Sequence, residues 1–219
     1  MPNPSPEYTE LLTICKEYGA QLLAVSKTRK EKDVLELYKK GQRLFGENRA
    51  AELVIKASLL PSDIQWHLIG HLQTNKVKAV IPYVACVQSL DSLKLWQKLD
   101  EAAAEERIKI ECLLQIKIAT EETKYGWEYD ELKKVLDSGI NQPLENVRIT
   151  GVMGMASLTR DTGQVRNEMQ KLKSYFDVLK KDYFQQEEFN ILSMGMSGDY
   201  HFALEEGSTM IRIGSLLFD

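Results

Sequence analysis

A chain of 219 residues with 43% hydrophobic and 27% charged side chains can bury a full core, and its composition does not point to disorder. A formal net charge of −4 without a long basic block argues against nucleic acid or an anionic membrane as the main partner, because both demand a concentrated positive face. Cys15, Cys86 and Cys112 are odd in number, widely spaced and free of any Cys-x-x-Cys pair, so buried, reduced thiols are expected rather than a disulfide framework or a thiolate metal site.

The opening Met1-Pro2-Asn3-Pro4-Ser5-Pro6-Glu7 lacks a basic segment followed by an apolar one, and no apolar run approaches the length of a membrane span. A cytoplasmic protein is therefore expected. Ser5-Pro6-Glu7 reads as a helix start, with Leu11, Leu12, Ile14 and Cys15 on the apolar face and Gly19 as the stop. Leu22-Leu23-Ala24-Val25 then gives four apolar residues in a row, ending in Ser26-Lys27-Thr28. That pattern predicts a strand buried on both faces, with Lys27 at its C-terminal end.

The same unit recurs down the chain. A helix carrying Val34, Leu35, Leu37 and Tyr38 closes at Gly41 and precedes a short strand over Arg43–Gly46. Glu47 and Asn48 lead into a helix with Ala51, Leu53, Val54 and Ala57, and a third strand spans Gln65–Gly70. A helix follows over Thr74–Val80, then a strand over Val84–Gln88 and a long amphipathic helix over Asp91–Arg107. The longest strand runs Ile108–Ile118, with its helix at Tyr129–Ser138. The rest is a strand over Val147–Met153, a helix over Val165–Lys181, a strand over Ile191–Met194, a short helix over Tyr200–Glu206 and a strand over Met210–Ile213. Strands alternating with helices through short connections predict one (β/α)8 barrel spanning residues 1–219, with an extra N-terminal helix; a doubly wound open sheet is the alternative. Gly139–Glu145 reads as a loop, since no Gly/Ser- or Pro-rich linker divides the chain.

In such a barrel the chemistry sits at the C-terminal strand ends. These ends offer Lys27, Asn48, His71, Gln88, Lys117, Ser197, Arg212, Gly214 and Ser215, without a His-Asp pair or paired carboxylates, which disfavours triad hydrolysis and glycoside cleavage. Ser193-Met194-Gly195-Met196-Ser197-Gly198-Asp199 after the seventh strand and Arg212-Ile213-Gly214-Ser215 on the eighth place glycines and serines where a barrel holds phosphate. If Arg212 faces the interior, its guanidinium requires a partner, either a ligand ring nitrogen or a carboxylate from another strand. His67 and His71 are four apart, but the strand and turn between them spoil the spacing for a metal. Lys117, a rival amine, is expected to pair with Glu121 or Glu122. A lysine facing a phosphate cup suggests an aldehyde phosphate held as an imine, with pyridoxal 5′-phosphate (PLP) as cofactor or a sugar phosphate in an aldolase as the competing ligand.

Several motifs then coincide: Ala24-Val25-Ser26-Lys27-Thr28, Phe45-Gly46-Glu47-Asn48, His67-Leu68-Ile69-Gly70-His71-Leu72-Gln73-Thr74-Asn75-Lys76, Gly151-Val152-Met153-Gly154-Met155-Ala156, Leu192 to Asp199 and Gly207 to Gly214. In this order, over nearly the whole chain, they resemble the YggS/PROSC family of PLP-binding proteins, also called PLP homeostasis proteins. One departure from the family's pattern is the end, Phe218-Asp219. The resemblance implies a single (β/α)8 barrel similar to the N-terminal domain of alanine racemase, with PLP as an aldimine on Lys27. It also implies phosphate contacts from Ser197, Gly214 and Ser215, Arg212 beside the pyridine nitrogen, and Asn48 lining the pocket. The implied role is control of free PLP and of amino- and keto-acid pools without established turnover, a racemase-like enzyme being the alternative. A monomer is expected, with no metal.

Overall fold

Eight apolar segments with polar C-terminal ends become eight parallel strands that close into a barrel, in the order β1 to β8 with β8 back against β1. They are β1 (Gln21–Val25), β2 (Leu44–Glu47), β3 (Gln65–Leu68), β4 (Val84–Leu90), β5 (Ile110–Gln115), β6 (Val147–Met153), β7 (Ile191–Met196) and β8 (Met210–Ile213). The computed structural model describes residues 7–120, 125–140 and 144–218. The barrel, rather than the open sheet, is therefore the architecture, with closure made by parallel pairing of Leu23 with Arg212 and Ala24 with Ile213.

Alternation along each strand sorts side chains between two cores. Outward residues such as Ala24, Phe45, Leu68, Cys112, Val152 and Leu192 are buried under the helices in one continuous cluster. Inside the barrel, Cys86, Leu113 and Met153 pack together, with Met155 and Ile191 against them. The ring comprises α2 (Glu31–Lys39), α3 (Ala50–Leu59), α4 (Val77–Val80), α5 (Leu93–Glu106), α6 (Tyr129–Asp137), α7 (Thr162–Asp182) and α8 (Tyr200–Glu205). The extra helix α1 (Tyr8–Glu17) covers the closing seam: Leu11 and Cys15 pack on Leu22 of β1 and on Ile211 and Ile213 of β8. The helix that follows β8, α9 (Ser215–Phe218), is too short to cover that seam alone.

The boundaries differ from the sequence reading where hydrogen bonds override composition. Lys27 lies beyond β1 in a turn, because Thr28 adopts φ +64° and ends the extended run. Ile116 and Trp127 form only an isolated bridge, so β5 stops at Gln115. The segment expected as one helix over Thr74–Val80 is a 3-10 turn, Thr74–Lys76, continued by α4. Helix α7 begins at Thr162, earlier than expected, because the Asp161 side chain accepts the Gln164 N–H at 3.1 Å and caps it. The expected serine cap at Ser5 lies outside the described residues, and part of the loop at Gly139–Glu145 does too.

Between α7 and β7, Phe189 is fully buried and stacks on Phe176 at 5.2 Å and Phe184 at 4.9 Å. Phe189→Ala is expected to cost about 3–5 kcal/mol, read as a lower urea midpoint at unchanged slope.

Candidate functional site

The C-terminal strand ends surround a cavity of about 400 Å³, within the usual range for small-molecule sites. Lys27, Asn48, Ser197, Arg212, Gly214 and Ser215 all line it, so the six residues that the resemblance assigns to the cofactor converge on one space, while His71, Gln88 and Lys117 do not line it. Val25, Ile69, Met155 and Met196 supply its apolar wall.

Lys27 is exposed at the mouth, in the turn between β1 and α2. Asn48 follows β2 and is held by a close approach: a Cβ on Gly70 would stand 2.2 Å from the Asn48 carbonyl oxygen, so only glycine lets the two backbones meet. The loop after β8 lies beside β1, where a Cβ on Gly214 would stand 3.3 Å from the Val25 carbonyl oxygen, and it is joined to the loop after β7, since the Gly214 N–H donates to Ser197 Oγ at 3.3 Å. A Cβ on Gly198 would meet no atom within 4 Å, so any side chain there would occupy open space at the cavity wall. Asp199 fixes this loop by accepting the Met196 N–H at 2.5 Å.

Arg212 forms the floor. It is 3% exposed, and its guanidinium donates to Ser193 Oγ at 2.8 Å and to the Gly154 carbonyl at 2.9 Å. Its protein partners are thus neutral oxygens, not the carboxylate weighed from the sequence. Burial lowers its pKa to about 10, against the opposing charge of Asp199, and it stays protonated at neutral pH. The chain of contacts continues through the interior: Ser193 Oγ donates to Gln88 Oε1 at 2.7 Å, and Gln88 Nε2 lies 2.9 Å from His67 Nδ1 and 3.1 Å from Met210 Sδ. With Gln88 Nε2 as donor, His67 Nδ1 is the acceptor. Burial draws the His67 pKa down to about 4, so the imidazole is neutral.

Other candidates lie elsewhere. Lys117 pairs with Glu128 at 3.0 Å and does not line the cavity, while Glu121 and Glu122 lie outside the described residues. His71 is held by Asp91, Nδ1 to Oδ2 at 2.7 Å, and stacks on Tyr125 at 4.1 Å, away from His67. Among the described residues no group of three or more His, Cys, Asp or Glu could hold a metal. The thiols of Cys15, Cys86 and Cys112 are buried and free, and burial raises the pKa of each.

One buried group escaped the sequence reading. Glu47 turns outward from β2, and its Oε1 accepts from Ser26 Oγ and Lys56 Nζ, both at 2.6 Å. Lys56 also donates to the Ser26 carbonyl at 2.7 Å. Burial raises the Glu47 pKa, opposed by the hydrogen bonds from Lys56 and Ser26. The available signal was Lys56 itself, three residues after the buried Leu53 and so on the core-facing side of its helix.

The profile of the alanine racemase N-terminal domain matches residues 7–219. A pyridoxal phosphate homeostasis protein of Aquifex aeolicus is 37% identical over 207 residues, covering 92% of this chain and 87% of the relative. The chain belongs to the pyridoxal phosphate homeostasis protein family. The human protein of that name is 38% identical over 211 residues, 90% of this chain and 75% of its own. The structure of PipY from Synechococcus elongatus PCC7942 with PLP bound superposes with a TM-score of 0.85 at 33% identity, over 95% of this chain and 98% of that one. Alanine racemase of Clostridium difficile 630, at 17% identity, shares the fold, with a TM-score of 0.75 over 96% of this chain and 55% of its own.

His67 gives the interior a pH dependence. Its folded pKa of about 4 lies below the ordinary 6.5, so the unfolded chain binds the extra proton in between. The stability contribution is intact above 6.5 and falls as pH drops toward 4, by about 3 kcal/mol in all. His67→Gln is expected to flatten this acid limb, measured as urea midpoints across that window.

Proposed function

We propose that the cavity holds PLP reversibly, with Lys27 Nζ as its covalent anchor, and that the chain takes up and releases this cofactor as a homeostasis protein rather than turning over a substrate. The observation that carries the reading is one cavity lined together by a primary amine, two linked Gly/Ser loops and a buried guanidinium. The names of the relatives and the PLP-bound PipY structure support it.

The donor set fits the cofactor. A phosphate needs hydroxyl and backbone donors with room beside them, which Ser197, Gly198, Gly214 and Ser215 offer. When bound, PLP supplies an electrophilic aldehyde and a conjugated ring. Arg212, already fixed by Ser193 and Gly154, would donate to a ring nitrogen held beside it and so disfavour that nitrogen's protonation, which would leave the site poor at stabilising a carbanion. Asn48, with Ile69 and Met155, bounds the ring's space. Among the described residues that line the cavity there is no tyrosine, histidine or carboxylate to act as a second proton donor, which supports binding and release over racemisation. The reading extends to a cytoplasmic monomer with a single PLP-binding domain. Among the described residues no helix is long and apolar enough to cross a membrane.

Protein incubated with PLP is expected to show the absorbance of a lysine-bound cofactor, and borohydride followed by peptide mapping should place the added mass on Lys27. Lys27→Ala should abolish both signals; an unchanged band in that variant would sink the proposal. Ser197→Ala should weaken PLP binding about tenfold, the scale of one hydrogen bond to a charged group. Solvent-deuterium exchange at the α-carbon of alanine, above the free-cofactor rate, would favour the enzyme instead.

A further inference from the structure

The turn that carries Lys27 is not one its own sequence favours. Ser26 to Arg29 is a four-residue turn closed by the Arg29 N–H to the Ser26 carbonyl at 3.0 Å, with Lys27 and Thr28 at its corners. Thr28 has φ +64°, a region suited to glycine and rare for a β-branched residue. An unassisted Thr would leave that region and carry the Lys27 backbone with it.

We infer that Glu52 and Lys56, one turn apart on α3, clamp this turn and thereby set the position of the Lys27 amine. Residues four apart share a helix face, and these two grip the residues on either side of Lys27. Glu52 Oε2 accepts the Thr28 N–H at 3.3 Å, and Lys56 Nζ donates to the Ser26 carbonyl at 2.7 Å. Thr28 Oγ1 completes the hold by donating to the Lys27 carbonyl at 2.6 Å. Lys56 is itself fixed: its side chain is 5% exposed, against a fully buried Glu47. Glu47 immediately precedes Asn48, so the same ammonium that steadies the Lys27 turn also steadies the end of β2. Glu47 Oε2 has no hydrogen-bond partner among the described residues, so Lys56 and Ser26 are what compensate this carboxylate's burial. Glu52, Lys56 and Glu47 do not line the cavity, so they are positioning residues, and their role rests on Lys27 being the cofactor anchor.

Lys56→Met would leave Glu47 buried without its cation and can fail to fold, so Glu52, 27% exposed, is the better handle. Glu52→Ala is expected to raise the Kd for PLP about tenfold at an unchanged circular dichroism spectrum, with Glu52→Gln, which keeps an acceptor, restoring it. In a Thr28→Gly background, where glycine takes positive φ unaided, Glu52→Ala should change the Kd by less than about twofold. An equal loss in both backgrounds, or a Kd for Glu52→Ala within about twofold of wild type, would overturn the clamp. Residue-resolved hydrogen exchange of cofactor-free protein tests the grip without PLP: the Thr28 amide should exchange about tenfold faster in Glu52→Ala and at the wild-type rate in Glu52→Gln, and an unchanged rate in Glu52→Ala refutes it. Failure of wild type to take borohydride label on Lys27 would overturn the cofactor reading and, with it, the clamp's role toward PLP, while the exchange result still judges the grip itself.

Discussion

Closure of the sheet between β1 and β8 is the constraint on which the site depends. Pairing Leu23 with Arg212 brings the start and the end of the chain side by side, so the turn after β1 and the loop after β8 open into one mouth. Parallel strands need crossovers, and each crossover returns the chain to the same end of the barrel. Every C-terminal strand end therefore contributes to one rim. Helix α1 makes this closure affordable, because its Leu11 and Cys15 remove from water the seam that the short α9 leaves thinly covered.

Within the barrel, a cation is held with no counter-carboxylate in contact among the described residues. From Arg212 a chain of neutral acceptors and donors, Ser193, Gln88 and His67, runs across the interior so that four strands are linked, and the Gly154 carbonyl accepts a further bond from the guanidinium. A buried charge with part of its hydrogen-bonding capacity met by fixed dipoles is pre-aimed: little reorganises when a ligand atom arrives. Its hydrogen-bond partners are neutral, so the guanidinium is the charge of the cavity floor.

A second buried pair, Lys56 with Glu47, occupies the layer between sheet and helices rather than the barrel interior. The two polar systems divide the labour of the rim. The interior chain holds the floor, and the outer pair, with Glu52, holds the turn that carries the amine. Both act on backbone or side chains that line the cavity, so the rim is shaped from below and from outside.

The order of apolar runs and glycine stops determined eight strands, their sequence along the chain and the residues at their C-terminal ends, because alternation and turn chemistry are local properties. The motifs around Lys27, Ser197 and Arg212 likewise determined which residues would meet, since a barrel puts strand ends on one rim whatever the details. Other features required three dimensions. The turn after β1, with the positive φ of Thr28, is hydrogen-bonded by Glu52 and Lys56, which lie on another element and meet it only when α3 packs beside it. The neutral partners of Arg212 lie 19 and 58 residues away, and no spacing rule connects them. Residue types and strand ends are written in the sequence, whereas the partner of each buried charge is decided only when distant segments pack and exclude water.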